Sequence, residues 1–245
     1  MSQLSDYISQ MLTTEYEMQE CLKKTEQSVI EIYKNRKNEK KLVKICSTNR
    51  NDHIYRTLRG RIHPNTATVY DVSSEEDGVI VLEKFIEGEL LTDKLKNGPL
   101  EEARAVSYVL DLCCALSFLH GLNVIHRDIK PSNVIINEED RAVLIDYSSS
   151  RELSYTSDGD TIKLGTPGYA APEQYGVYQS VPATDIYALG VLFNVLLLGM
   201  NPIIKTPKGK LGKIIKRCTS SQISQRYQNI GELEKELKRY KKFHR

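Results

Sequence analysis

An α+β fold is predicted for this chain, with a small antiparallel sheet near the N-terminus and a mainly helical remainder. Three observations carry that prediction. Two β-rich runs, residues 28–33 and 41–45, flank the polar turn Asn35-Arg36-Lys37-Asn38, which is the pattern of a hairpin. Val106, Val109, Leu110, Cys113 and Leu116 recur at spacings of three and four, the period of a helix with one buried face. Residues 185–198 are apolar on nearly every side, as in a helix enclosed by others.

The elements follow in order. The first twenty residues are polar with scattered Leu, Ile and Met, a short helical extension ahead of the main domain. After the hairpin come two more strands, residues 66–72 and 79–82, separated by the acidic turn 73–78. Asn97-Gly98-Pro99 closes a short segment, Glu101 and Glu102 place negative charge at a helix start, and Gly121 stops that helix. Strands at 134–136 and 142–145 are joined by the turn 137–140, and a Ser/Gly/Asp-rich loop runs from 148 to 168. Ile230, Leu233, Leu237 and Tyr240 mark a final amphipathic helix whose lysines and arginines form its solvated face.

Bulk properties narrow the function classes. With 245 residues, 40% of them hydrophobic, the chain can bury a large core, and a net charge of +2 makes no field that points to nucleic acid or an anionic membrane. The five cysteines have neither zinc-site nor redox spacing and read as reduced, mostly buried thiols. No secretory signal opens the chain, and the most apolar run, 187–200, is interrupted by Asn194 and falls short of the roughly 20 residues a membrane span needs. The expectation is a soluble cytoplasmic protein with no membrane segment and no nucleic-acid partner, its oligomeric state left open.

Chemistry concentrates in residues 126–146, where the run His126-Arg127-Asp128-Ile129-Lys130-Pro131-Ser132-Asn133 is followed by Asp146. Moving a phosphoryl group to a hydroxyl needs a carboxylate that orients the acceptor, a cation on the transferring phosphate, and oxygen ligands for a metal. Asp128, Lys130, and the pair Asn133 and Asp146 supply these in turn.

Over residues 16–240 the chain resembles a eukaryotic-like serine/threonine protein kinase of the type common in bacteria. Lys130 two residues after Asp128, and Asn133 five after it, resemble the serine/threonine class; Gly165-Thr166-Pro167-Gly168-Tyr169-Ala170-Ala171-Pro172-Glu173 resembles the family's substrate-docking segment. The resemblance implies a bilobal protein-kinase fold: an N-terminal extension at 1–15, a small-sheet N-lobe at about 16–82, a hinge at 83–88 and a mainly helical C-lobe at 89–245. It implies ATP and Mg2+ as cofactors and proteins with Ser/Thr acceptors as partners. Asp128 and Lys130 would be catalytic, with Asn133 and Asp146 on the metal. Lys44 would contact the α and β phosphates, Ile30, Leu42 and Ile135 would line the nucleotide, and the backbones of Glu83 and Phe85 would hold adenine. Thr166 would bond Asp128 and Lys130, Glu173 would pair with Arg226, and Asp185 would hold the catalytic-loop backbone. A small-molecule phosphotransferase of the same fold is the more distant reading, and the docking segment speaks against it.

Several positions depart from the family's pattern. No glycine precedes Gly60, and Lys23, Thr25 and Ser28 stand where the phosphate-covering loop has glycines. Lys23 and its neighbour Lys24 would attract phosphates by charge instead. Leu42 replaces a small alanine, Ile54 occupies the register of the helix glutamate that should pair with Lys44, and Asp146-Tyr147-Ser148 replaces Asp-Phe-Gly. Arg127 resembles the arginine that receives an activation-loop phosphate, with Thr161 as acceptor ahead of Ser157 and Thr156; the resemblance implies that this phosphate would arise by autophosphorylation. Two readings stand: an active kinase, and a pseudokinase acting as an ATP-binding or scaffolding module.

Overall fold

The computed structural model describes residues 3–49, 51–153, 165–176 and 179–243. Thr156, Ser157 and Thr161 lie outside the described residues. The chain divides into two compact units: Met1–His63 with Ala67–Ile86, and Pro64–Thr66 with Glu87–Arg245.

In the first unit, helix α1 (Gln3–Glu15) leads into strands β1 (Tyr16–Lys24), β2 (Ser28–Asn35) and β3 (Lys41–Ser47), then helix α2 (Asp52–Leu58) and strands β4 (Val69–Glu75) and β5 (Gly78–Lys84). The strands form one antiparallel sheet in the order β1-β2-β3-β5-β4. The helical extension is present, but residues 16–20 belong to β1 and not to a helix. This edge strand is exposed almost throughout, so it lacks the alternation of buried and exposed residues by which a strand is read.

Strands β3, β4 and β5 bury residues on both faces, which explains their dense Val, Ile and Leu content. Ladder partners share a face, so Ile30, Ile45 and Val81 lie on one side with Val72, while Glu31, Lys44 and Leu82 lie on the other. On that second side Ile8 and Leu12, one turn apart on α1, pack against Leu42 and Leu82, with Met11, Tyr16, Tyr33 and Ile80 around them. Burying a leucine or isoleucine contributes about 1.5–3 kcal/mol, enough to hold a helix of this length on the sheet.

The second unit begins with β6 (Gly88–Leu90) and the short helix α3 (Leu91–Lys94), followed by α4 (Glu102–Gly121), β7 (Val124–Ile125), β8 (Val134–Asn137), β9 (Ala142–Leu144), β10 (Arg151–Glu152), α5 (Pro182–Leu198), α6 (Gly209–Cys218) and α7 (Ile230–Phe243). Small ladders β6-β8-β9 and β10-β7 flank the helices. Helix α5 is buried on nearly all sides, between α4 and α6. Gly190 permits the close approach of α6: a Cβ there would lie 2.3 Å from the Cβ of Cys218. Helix α4 is the one described helix long and apolar enough to cross a membrane by length and composition, and it is instead packed against α5, α7 and β9. Cys113 and Cys218 are buried, and burial pushes both thiols well up; they act as packing residues.

Candidate active site

The loop between β7 and β8 carries Asp128, and its shape is imposed by Asp185 near the start of α5. Asp185 Oδ2 accepts from the backbone N–H of His126 at 2.9 Å and Oδ1 from that of Arg127 at 2.8 Å, while His120 Nε2 lies 2.8 Å from Oδ2. Arg127 sits at φ 71°, a left-handed conformation that costs a side-chain-bearing residue about 1–2 kcal/mol and persists where surrounding contacts hold it. Complete burial raises the Asp185 pKa, but His120 and the Arg127 amide outweigh it and leave the carboxyl below its ordinary value.

Three side chains converge on the Asp128 carboxylate. Thr166 Oγ1 donates to Oδ1 at 2.7 Å, Lys130 Nζ stands 2.7 Å from Oδ2, and Asn133 Nδ2 donates to Oδ2 at 3.0 Å and to the Asp128 backbone oxygen at 2.8 Å. Lys130 Nζ also donates to Thr166 Oγ1 at 2.8 Å. Burial works to raise the Asp128 pKa, whereas the hydrogen bonds from Lys130 and Thr166 and the Lys130 charge pull it below the usual carboxylate value. The group is therefore an oriented carboxylate at neutral pH.

Asn133 and Asp146 are brought together by the β8-β9 ladder: Val134 pairs with Leu144, and Ile145 N donates to Asn133 O at 3.0 Å. Asp146 stands at φ 66° and accepts from Ser148 N at 3.0 Å, so Ser148 replaces glycine without loss of a local turn. The Asp146 carboxylate and the Asn133 amide oxygen are oxygen donors, a type that fits Mg2+ better than a softer metal. Tyr147 is fully buried and meets the His126 ring edge-on, centroids 6.0 Å apart. Ile135 is the half-buried middle residue of β8, between the buried Val134 and Ile136.

The segment that follows Thr166 is anchored at its far end. Gln174 Nε2 donates to Arg127 O at 2.9 Å and its Oε1 accepts from Ala171 N at 3.0 Å. Arg226 grips Glu173 through both ends of its guanidinium, Nη1 to Oε1 at 2.7 Å and Nη2 to Oε2 at 2.8 Å, with side chains 0% and 2% exposed. Thr184 Oγ1 also donates to Glu173 at 2.9 Å. The contacts expected of Thr166, Glu173 and Asp185 are all present; His120, Gln174 and Thr184 were not read from the sequence, because their partners lie 65, 47 and 11 residues away with no local pattern to mark them.

The nucleotide residues expected on the first unit are not brought together. Lys44 Nζ pairs with Glu31 of the neighbouring strand at 3.4 Å and lies over the Tyr33 ring, on the face covered by α1. Leu42 shares that face and is buried under Ile8 and Leu12. Ile30 lies on the opposite face, since it pairs with Ile45, one residue out of phase with Lys44. The joint placement of Ile30, Leu42 and Lys44 around one ligand is thus corrected by the period of two along a strand. Lys23 is exposed and pairs with Ile30, which puts it on the Ile30 face. Glu83 pairs with Val43 and is also on that face, buried; Phe85 follows β5, with Lys41 Nζ 4.8 Å from its ring centre.

The segment aligned with a glycine-rich loop is a tight turn. Thr25 N donates to Ser28 O at 2.9 Å, and Ser28 N donates to Thr25 Oγ1 at 3.0 Å. These two backbone donors are consumed within the turn, and Lys23 and Lys24 beside it supply side-chain charge.

The chain matches the protein kinase domain family over residues 12–243. It belongs to the protein kinase family. Among curated kinases it is 35% identical to serine/threonine-protein kinase pkn3 of Myxococcus xanthus over 57% of this chain and 28% of that protein. It is 28% identical to serine/threonine-protein kinase PrkC of Bacillus subtilis (strain 168) over 72% and 31%, and 33% identical to serine/threonine-protein kinase C of Synechocystis over 67% and 32%. The chain thus spans about a third of the length of these relatives. Its sheet-bearing first unit and mainly helical second unit are those of the kinase fold.

Proposed function

We propose that this kinase domain transfers the γ-phosphoryl group of Mg-ATP to serine or threonine hydroxyls of proteins. The observation that carries the reading is the Asp128 carboxylate, held by Thr166, Lys130 and Asn133 in one fixed orientation. Asp128 would orient the acceptor hydroxyl and take up its proton, and Lys130 would offset charge on the moving phosphoryl group. Asn133 and Asp146 would hold Mg2+, which supplies charge neutralisation on the phosphates. Transfer from labelled ATP to a generic basic protein, compared between wild type and Asp128→Ala, tests the reading: transfer that survives the substitution would remove it. Autophosphorylation on Thr161, Ser157 or Thr156 is checked by mass mapping after incubation with Mg-ATP.

A second reading, a nucleotide-binding module without turnover, is favoured by one observation: Lys44 and Leu42 face α1. The two separate by a further substitution. Lys44→Met is expected to leave transfer within about threefold of wild type, because Lys44 balances Glu31 and not a phosphate. Its stability cost is about 1 kcal/mol, since both side chains of the pair are largely shielded from solvent. Lys23→Met, on the Ile30 face, is expected to raise the KM for ATP several-fold by removing a phosphate-directed charge. Loss of transfer in Lys44→Met with an unchanged melting temperature would return Lys44 to the phosphate role. Wild type that is stabilised by Mg-ATP yet transfers nothing would favour the binding module.

A further inference from the structure

Between α5 and α6 the chain turns through Asn201, Pro202, Ile203 and Ile204, and the two isoleucines are 86% and 74% exposed. Exposure of this degree on adjacent large aliphatic residues would suit a floppy loop, but the turn is pinned at several points. Buried Asn194 of α5 donates through Nδ2 to Met200 O at 2.7 Å and to Lys205 O at 2.9 Å, clamping both ends. Asn201 accepts from Ile203 N through Oδ1 at 2.9 Å and from Ile204 N through its backbone oxygen at 3.0 Å. Its Nδ2 donates to Gly168 O at 2.7 Å, tying the turn to the segment that carries Thr166. The isoleucines are therefore held out in water by a built scaffold, and a partner that covers them pays little ordering entropy in this turn.

The charge around them has one sign. From Gly199 to Thr219 the chain has Lys205, Lys208, Lys210, Lys213, Lys216 and Arg217 and no carboxylate. Lys205 and Lys216 line, with Tyr187, Pro202 and the isoleucines, a groove of about 400 Å³. Lys213 and Lys216 are exposed on α6. Arg217 is the member of the group already engaged, stacked on Tyr227 and 3.8 Å from Glu232. This local excess contrasts with the chain's net charge of only +2.

We propose that this surface docks an acidic segment bearing aliphatic side chains on the protein that is phosphorylated, the isoleucines and groove taking its leucine or isoleucine side chains and Lys205, Lys213 and Lys216 its carboxylates. Apolar contact supplies affinity, and the one-signed rim excludes basic segments and speeds encounter. The tie to Gly168 places the docked partner beside the segment that holds Thr166 on Asp128. The word substrate rests on the kinase reading above, whereas the docking itself does not.

The test uses the whole chain without nucleotide and a dye-labelled peptide of leucines interspersed with glutamates, followed by fluorescence anisotropy. Binding is expected to weaken as salt rises, and to fall at least about tenfold in Ile203→Ser/Ile204→Ser. It is expected to fall several-fold in Lys205→Glu/Lys216→Glu, and the matched peptide with lysines for glutamates should bind at least about tenfold more weakly. These residues are exposed, so thermal melting checks that each variant remains folded. Equal binding of the acidic and basic peptides, or unchanged binding in the isoleucine variant, overturns the proposal. So does sedimentation showing a wild-type dimer that the isoleucine variant dissolves, since the face would then join two copies of this chain. A kinase inactive in the Asp128 comparison that still binds the peptide would remove the substrate role and leave the docking surface standing.

Discussion

Replacing Asp128 by alanine is expected to lower phosphoryl transfer by about 10²–10⁴-fold, the usual reach of a positioned acid or base, with little change in nucleotide affinity. The carboxylate is the common acceptor for Thr166, Lys130 and Asn133. Its loss therefore frees the Lys130 ammonium and Thr166 hydroxyl as well as removing the base, and kcat falls while KM for ATP stays. Asp128→Asn separates the two effects, because an amide retains a hydrogen-bonding oxygen for Thr166 but cannot take a proton. Steady-state rates on a protein acceptor measure both variants. A pH profile adds a second check. The folded state depresses the Asp128 pKa, so the carboxylate form is favoured, and its contribution is present above the unfolded value and lost as pH falls through the folded one. Between pH 5 and 8 no acid limb should arise from this residue; an acid limb near neutrality in wild type that is absent in a residually active Asp128→Asn would contradict the assignment.

Arg226→Ala is the substitution expected to damage the fold most. The guanidinium makes two bonds to Glu173, one to Ala183 O at 3.0 Å and one to Ser220 O at 2.8 Å, and is entirely enclosed. Removing it strands a buried carboxylate and two backbone carbonyls, a loss of about 3–5 kcal/mol. For a chain of this size that corresponds to a drop in melting temperature of roughly 10 °C. Glu173 is held below its ordinary pKa because Arg226 and Thr184 outweigh the opposing effect of burial. The pair therefore stabilises the fold above the ordinary carboxylate pKa and stops doing so as pH falls through the depressed value. The variant should lose that acid sensitivity together with its stability. Arg226→Leu combined with Glu173→Leu should recover part of the deficit, because no charge is left buried alone. Calorimetry on the three proteins distinguishes this from a surface role, in which each change would fall within about 0.5 kcal/mol.

Much of the second unit was legible in the sequence, and the reason is local. The residues of the catalytic loop lie within one short run from His126 to Asn133, and their spacing is itself the geometry: Asn133 returns to Asp128 across five residues. The apolar run of α5 and the stripe of α4 announce their burial directly. Helix α6 was missed because Gly209 and Gly212 interrupt its pattern; Gly212 is there because a Cβ would fall 1.9 Å from Pro207 O. In the first unit, residue types identified β2, β3 and β5, but which face each residue takes depends on ladder register. A shift of one residue exchanges the faces, and composition does not report it when both faces are apolar. Lys44 shows the consequence: between Val43 and Ile45 nothing local marks its side, and only the pairings with Glu31 and Leu82 place it toward α1. The turn at Thr25 was similarly hidden, since its closure depends on a threonine hydroxyl bonding Ser28 across three residues.

Helix α1 also decides how much of the polypeptide is needed for the first unit to behave as a folded body. The family match opens at residue 12, whereas Ile8, one turn earlier, is 1% exposed and completes the layer over Leu42 and Leu82. A chain trimmed to the boundary of the family would keep the strands and Leu12 but lose Met11 and Ile8, baring part of the aliphatic face of Leu42 and Leu82 on a sheet whose β1 edge is already open to solvent. Such a surface invites self-association. The family boundary therefore cuts through this helix, and Ile8 on its far side is part of the packing of the first unit.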